Sequence, residues 1–251
     1  MLDAWTFVAL TGVAVVAGFI DSIAGGGGLL VIPAFLWAGV QPLFALGTNK
    51  LQSVCGTAIA LRNYHRSGLV EWHPNRLTVA LAFAGSLIGA LVIQLVQTRL
   101  LNLIIPLLLV VSALYVLLSP RMTDEDAHHR VTSKGYAPIG AAIGFYDGFF
   151  GPGAGTFYTT SLVGLRGYGL TKATALTKLV NLASATASLI MFAIGGHLYW
   201  ALGLCMAAGA MLGGWLGSHS ALRHGARLIR PLLIVISLSL TAKLLWSYFS
   251  G

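Results

Sequence analysis

A stretch near the N-terminus returns, in the same order, in the second half of the chain. Gly18-Phe19-Ile20-Asp21 and the run Gly25–Gly28 are answered by Gly144-Phe145-Tyr146-Asp147 and by Gly151-Pro152-Gly153. Thr48-Asn49-Lys50-Leu51 is answered by Leu176-Thr177-Lys178-Leu179, and Trp72 by Trp200. Ala84-Gly85-Ser86-Leu87-Ile88-Gly89 matches Ala208-Gly209-Ala210-Met211-Leu212-Gly213, and the run from Pro106 to Ser112 matches the run from Pro231 to Ser237. The offsets stay near 126 residues, the separation of Asp21 from Asp147. Ordered matches at a nearly constant offset mark a tandem duplication.

Each copy holds five apolar elements, roughly 4–23, 28–40, 44–62, 75–97 and 100–119, then 136–150, 154–165, 171–194, 200–218 and 229–249. Composition decides what surrounds them. Only 9% of residues are charged, against about 25% in soluble domains, and mean hydropathy is +0.83. So little polar surface cannot face water on every side. The chain is therefore expected to be an all-α polytopic membrane protein. Residues 1–120 form the first repeat, 121–135 a cytoplasmic linker and 136–251 the second repeat. Met1 to Phe19 reads as the first membrane element, because Asp3 stands where a targeting peptide is basic.

A spanning helix needs about 20 residues, and the second element of each half has only about a dozen. It is either tilted or a half-helix turning back inside the bilayer, which gives 8–10 membrane segments. Both readings leave an odd number of crossings per half, so the second repeat is expected upside down relative to the first. The net charge of +8 fits this. Alternating the sides places Arg62, Arg66, Arg76, Arg121, Arg130, Lys134, Arg166, Lys172, Arg223, Arg227 and Arg230 together. The other side receives Arg99 and Lys243. The positive-inside rule makes the first side cytoplasmic and puts both termini outside. With that account of the charge, nucleic acid is not an expected partner.

Two basic residues remain, Lys50 and Lys178, and two acidic ones, Asp21 and Asp147. All four fall at membrane depth, and they form two sets of repeat equivalents. A charge at the bilayer centre costs roughly 2.5–3.5 kcal/mol even on the permissive scale. The lysines either snorkel from helix ends, form structural pairs with the aspartates, or line a pathway. The glycine runs sit at matching places, and they either permit close packing or break the helices. Matching interruptions in inverted halves point to a midplane binding site. Half-helix N-termini there would suit an anion.

The candidate substrate site is Lys50 and Lys178 for charge, with Thr48, Asn49, Thr177 and Asn181 for hydrogen bonds. Main-chain N–H groups at Gly26, Gly27, Gly28, Gly153 and Gly155 complete it. Asp21 and Asp147 either hold the lysines or carry a coupled proton. Asn49, Ser53 and Thr57, and on the second copy Thr174, Asn181, Ser184 and Ser188, recur at helical spacing beside the lysines. Gly151-Pro152-Gly153-Ala154-Gly155 lacks the strand and Lys-Ser/Thr of a nucleotide loop. The histidines, Cys55 and Cys205 show no metal-ligand spacing, and no catalytic set is present, so neither cofactor, metal nor enzyme activity is expected.

Gly18-Phe19-Ile20-Asp21 with its glycine run, Gly47-Thr48-Asn49-Lys50 and Thr177-Lys178-Leu179-Val180-Asn181 resemble the sulfite exporter TauE/SafE family of bacterial membrane transporters, over nearly the whole chain. The resemblance implies a secondary transporter of small sulfur-containing anions, sulfite or organosulfonates, in the inner (cytoplasmic) membrane. The expected partners are a small anion and the lipid bilayer, and a homo-oligomer is compatible with the sequence. The competing classes are an anion channel and a non-transporting membrane scaffold.

Overall fold

The computed structural model describes residues 3–118, 124–126 and 131–224, and among them it is helical with no strand. The first half gives α1 (Ala4–Ala24), α2 (Gly28–Trp37), α3 (Pro42–Arg66), α4 (Arg76–Leu95) and α5 (Thr98–Leu118). The second gives α6 (Ser133–Phe149), α7 (Ala154–Arg166), α8 (Leu170–Ile194) and α9 (Trp200–His224). The element expected over 229–249, with Lys243 and the Pro231–Ser237 match, lies outside the described residues. Ala4–Ala24, His73–Leu95, Leu170–Ile194 and Trp200–His224 are each long and apolar enough to cross a membrane.

Local sequence explains where the helices begin and end. Asp3 caps α1 by accepting from the Thr6 N–H at 2.8 Å, and Thr132 caps α6 by accepting from the Gly135 N–H at 3.1 Å. Bonds from the Thr6 hydroxyl and N–H hold the Asp3 carboxyl below its usual range. Gly25 ends α1 in the left-handed conformation, φ +80°, returning its N–H to the Asp21 carbonyl. Gly153, φ +85°, stands just ahead of α7.

Small residues set the packing, as expected where lipid gives no hydrophobic drive between helices. Gly209 meets Thr11, Gly213 meets Val15 and Phe19, and Gly217 meets Phe19 and Ser22, so α1 and α9 run side by side in one direction. On the opposite flank Gly140 meets Thr78, Gly144 meets Ala82 and Gly148 meets Ser86, so α4 and α6 also run parallel. Leu51 meets Gly203, Gly56 meets Gly214, and Asn63 donates to Ser218 at 2.8 Å, which adds α3 to the α1–α9 direction. Val79 and Ala82 cluster with Leu179 and Val180, and Ser86 donates to the Ser184 carbonyl at 2.6 Å, which adds α8 to the α4–α6 direction. The two sets oppose one another: Gly47, early in α3, lies on Phe192, late in α8, and on His197 just beyond it.

Because α1 and α3 point the same way, α2 must return toward the end from which α1 started. Ala38–Val40 accordingly line a cavity together with Phe7, from the first turn of α1. The basic loops gather at the far end, where Lys172 pairs with Glu71 at 3.1 Å, Thr171 donates to Asp124, and Arg166 donates to the Val131 carbonyl. Outside the bundle, Val8, Ile88, Leu95, Leu107, Val111, Ile194, Leu204 and Leu212 are exposed. That is an apolar skin no soluble monomer presents. Exposed Trp5, Trp37 and Trp200 share one end and Trp72 lies toward the other, where interfacial aromatic belts belong.

Candidate functional site

The two chain breaks meet in the interior. A Cβ added at Gly25 would stand 2.5 Å from the main chain of Gly155, and one added at Gly155 would stand 2.6 Å from Gly25. Only glycine on both sides allows this approach. Thr156, in the first turn of α7, locks it by donating its hydroxyl to the Ala24 carbonyl at 3.0 Å. Gly28, opening α2, lies against Pro152 and the Asn49 amide.

Beside each break lies an ion pair, and each pair is shared between the halves. Lys50 of α3 donates to Asp147 of α6, 2.7 Å to Oδ1 and 2.5 Å to the main-chain oxygen. Lys178 of α8 donates to the main-chain oxygen of Asp21 in α1 and stands 3.5 Å from its Oδ2. Both lysine side chains are buried, which excludes snorkelling to the interface. Each lies eight residues into its helix, roughly 12 Å from the helix start. Since α3 and α8 enter from opposite ends, the two pairs sit at different depths. Gly151, φ +98°, is part of the Lys50 pocket, because a Cβ there would fall 2.6 Å from Nζ.

The remaining candidates surround these pairs unevenly. The Gly27 N–H donates to Asp21 Oδ1 at 3.3 Å. The Gly26 carbonyl accepts from Leu29, and Gly153 borders Ser112. Asn49 accepts from the Gln52 amide at 2.9 Å, and Thr177 shares a hydrogen bond with Thr159 at 2.9 Å. Asn181 is buried one helical turn from Lys178. Thr48 accepts from the Tyr199 N–H at 3.0 Å and so serves the turn between α8 and α9.

Three residues near the pairs were not among the candidate substrate or coupling residues. Ser184 donates to Asp147 Oδ2 at 2.5 Å, and its place on the polar face of α8 was the available signal. Tyr146 donates to the Pro152 carbonyl at 2.6 Å, bracing the second break. Tyr64 donates to the Ser22 carbonyl at 3.0 Å. Neither tyrosine has a polar repeat equivalent, so the duplication gave no hint of them.

Arranged this way, the interior holds two charge pairs, each bringing a lysine of one half onto an aspartate of the other. Residues 10–244 match the family described as Sulfite exporter TauE/SafE. The chain is 46% identical over 235 residues to the probable membrane transporter protein YfcA of Escherichia coli K12, covering 93% of this chain and 87% of the relative. It is 44% identical to the probable membrane transporter protein ORF9 of a Sinorhizobium species, covering 97% and 92%. A probable membrane transporter protein of Haemophilus influenzae is 39% identical, covering 92% and 91%. No solved structure matches the chain.

Proposed function

This chain belongs to the sulfite exporter TauE/SafE family, a multi-pass membrane transporter, and we propose that it carries a small sulfur-containing anion, sulfite or an organosulfonate, across the bacterial cytoplasmic membrane by alternating access. The observation that carries the proposal is the meeting of the two glycine breaks between ion pairs that each half completes for the other. Irregular backbone and ionised side chains at membrane depth are tolerated where they serve a pathway.

In this reading the halves are inverted repeats that rock against one another. Support comes from α1, α3 and α9 running against their equivalents α6, α8 and α4. The anion binds near the crossing of the breaks, drawn by Lys50 and Lys178. Asn49, Thr177 and Asn181 orient it, and main-chain N–H groups of the Gly26–Gly28 and Gly153–Gly155 segments contribute further bonds. To reach a lysine it must displace a carboxylate, so a coupled proton on an aspartate is part of the same proposal. The basic end faces the cytoplasm, and the end bearing Trp5, Trp37 and Trp200 faces outward.

Counterflow of isotope-labelled sulfite in proteoliposomes tests it, with sulfonates, sulfate and carboxylates as competitors. Transient accumulation against excess unlabelled internal sulfite, competed by sulfonates, is the expected result. Non-saturating flux without counterflow would make the protein a pore. No flux with any of these anions would remove the sulfur-anion reading.

A further inference from the structure

The two ion pairs are related by duplication, yet they are built differently. Asp147 is closed on every side: Lys50 holds one oxygen at 2.7 Å, the Ser184 hydroxyl holds the other at 2.5 Å, and the side chain is 4% exposed. Asp21 is held loosely, at 3.5 Å from Lys178 and 3.3 Å from the Gly27 N–H, and its side chain is 18% exposed. A cavity of about 10 Å³ adjoins Asp21, bordered by Gly27, Gln52, Ser53, Gly56 and Thr57. That is close to the room one water needs. Thr57 borders it, and its hydroxyl is buried with no hydrogen-bond partner among the described residues.

Sequence explains the difference. At the offset that relates Lys50 to Lys178, Gly56 corresponds to Ser184 and Thr57 to Ala185. The second copy places a hydroxyl where the first has bare backbone, and that hydroxyl closes Asp147. The first copy leaves space and puts its hydroxyl one residue further on. Lys178 from α8 and Tyr64 from α3 are the titratable groups set against Asp21 and its neighbour Ser22. At this corner α2, α7 and α9 contribute Gly28, Thr156 and Ala210.

We propose that Asp21 alone carries the coupling proton of the transport cycle, through a water held by Ser53 and Thr57, while Asp147 stays ionised throughout. This rests on the transporter reading above. The step is balanced: a hydronium proton from bulk solvent, relayed through the cavity water, binds an Asp21 carboxylate oxygen, and Lys178 stays an ammonium. The pair changes from net zero to one positive charge. Lys178 then holds a monoanion, and the loaded site is again neutral. Release of the proton to the cavity water restores the pair and expels the anion.

The test measures proton uptake on anion binding by the purified full chain in weakly buffered detergent. The probe is whichever of sulfite, methanesulfonate and ethanesulfonate gives the strongest counterflow. Wild type takes up one proton per bound anion above the pH at which Asp21 ionises, after correction for the anion's own titration. Asp21→Asn takes up at least about tenfold less, and its anion affinity no longer varies with pH. Thr57→Val, which keeps the shape, moves the pH midpoint of uptake upward, because the ionised carboxylate loses its water-relayed donor. Proton uptake at the wild-type level in Asp21→Asn, or an unmoved midpoint in Thr57→Val, overturns the proposal. Loss of uptake in a folded Asp147→Asn protein with Asp21 intact assigns the proton to the other pair. Absence of counterflow with all three anions defeats the transporter reading itself and is distinguishable from these results.

Discussion

At the scale of single residues, the sequence indicated which charges were buried but not which were partners. Asp21, Asp147, Lys50 and Lys178 stood out because each interrupts an apolar run. Their pairing runs between halves, over 97 and 157 residues, and no local pattern encodes contacts at that distance. Removing one member of a buried pair leaves a bare charge and costs about 3–5 kcal/mol, whereas replacing both by apolar groups is often near neutral. Lys50→Met should therefore lower the melting temperature of detergent-purified protein sharply, and Lys50→Met with Asp147→Leu should recover most of the loss. Equal losses in the single and double variants would show that the two residues do not depend on each other. Gly151→Ala should also destabilise, by about 1–3 kcal/mol, since it forces a side chain into φ +98° and onto Lys50 Nζ. The same melting assay reads it.

At the scale of elements, apolar periodicity and glycine punctuation were enough. The expected runs 4–23, 75–97 and 171–194 correspond to Ala4–Ala24, Arg76–Leu95 and Leu170–Ile194. The short second elements appear as Gly28–Trp37 and Ala154–Arg166. The path of the first hairpin was not legible, because a short apolar segment reads alike whether it tilts across or turns back. The structure shows α2 packed against α1 and delivering the chain to a cavity that Ala38–Val40 share with Phe7, near the start of α1. Helix interfaces built on glycine give a contrast. Gly144→Ala would drive a methyl into the main chain of Ala82, 2.7 Å from its Cα, and overpacking of this kind costs about 1–3 kcal/mol. Gly12→Ala in α1 meets nothing within 4 Å and gains about 1 kcal/mol of helix propensity. Urea or thermal unfolding in detergent should move in opposite directions for the two variants.

For the whole molecule, the arrangement of ends is the testable quantity. Gln41 and Ser67 are both exposed, and they close opposite ends of α3. With Cys55 and Cys205 replaced, Gln41→Cys should react with a membrane-impermeant maleimide in intact cells. Ser67→Cys should react only after permeabilisation. The reverse result would place the basic end outside. Counting crossings and sorting arginines gave the expectation of inverted halves, which this labelling tests, whereas the unequal construction of the two ion pairs follows from Gly56 and Ser184, whose significance emerges only once Asp147 is seen beside one of them.

The exchange of counter-charges between halves has a consequence for ancestry. A single-copy forebear with one aspartate and one lysine would have left both unmatched within itself. Two such molecules inserted in opposite senses would satisfy all four charges at once. Fusion into one polypeptide then frees each copy to diverge, one keeping a sealed pair and the other a loose one. Residues 1–120 and 121–251 expressed as separate polypeptides should consequently be stable only when made together.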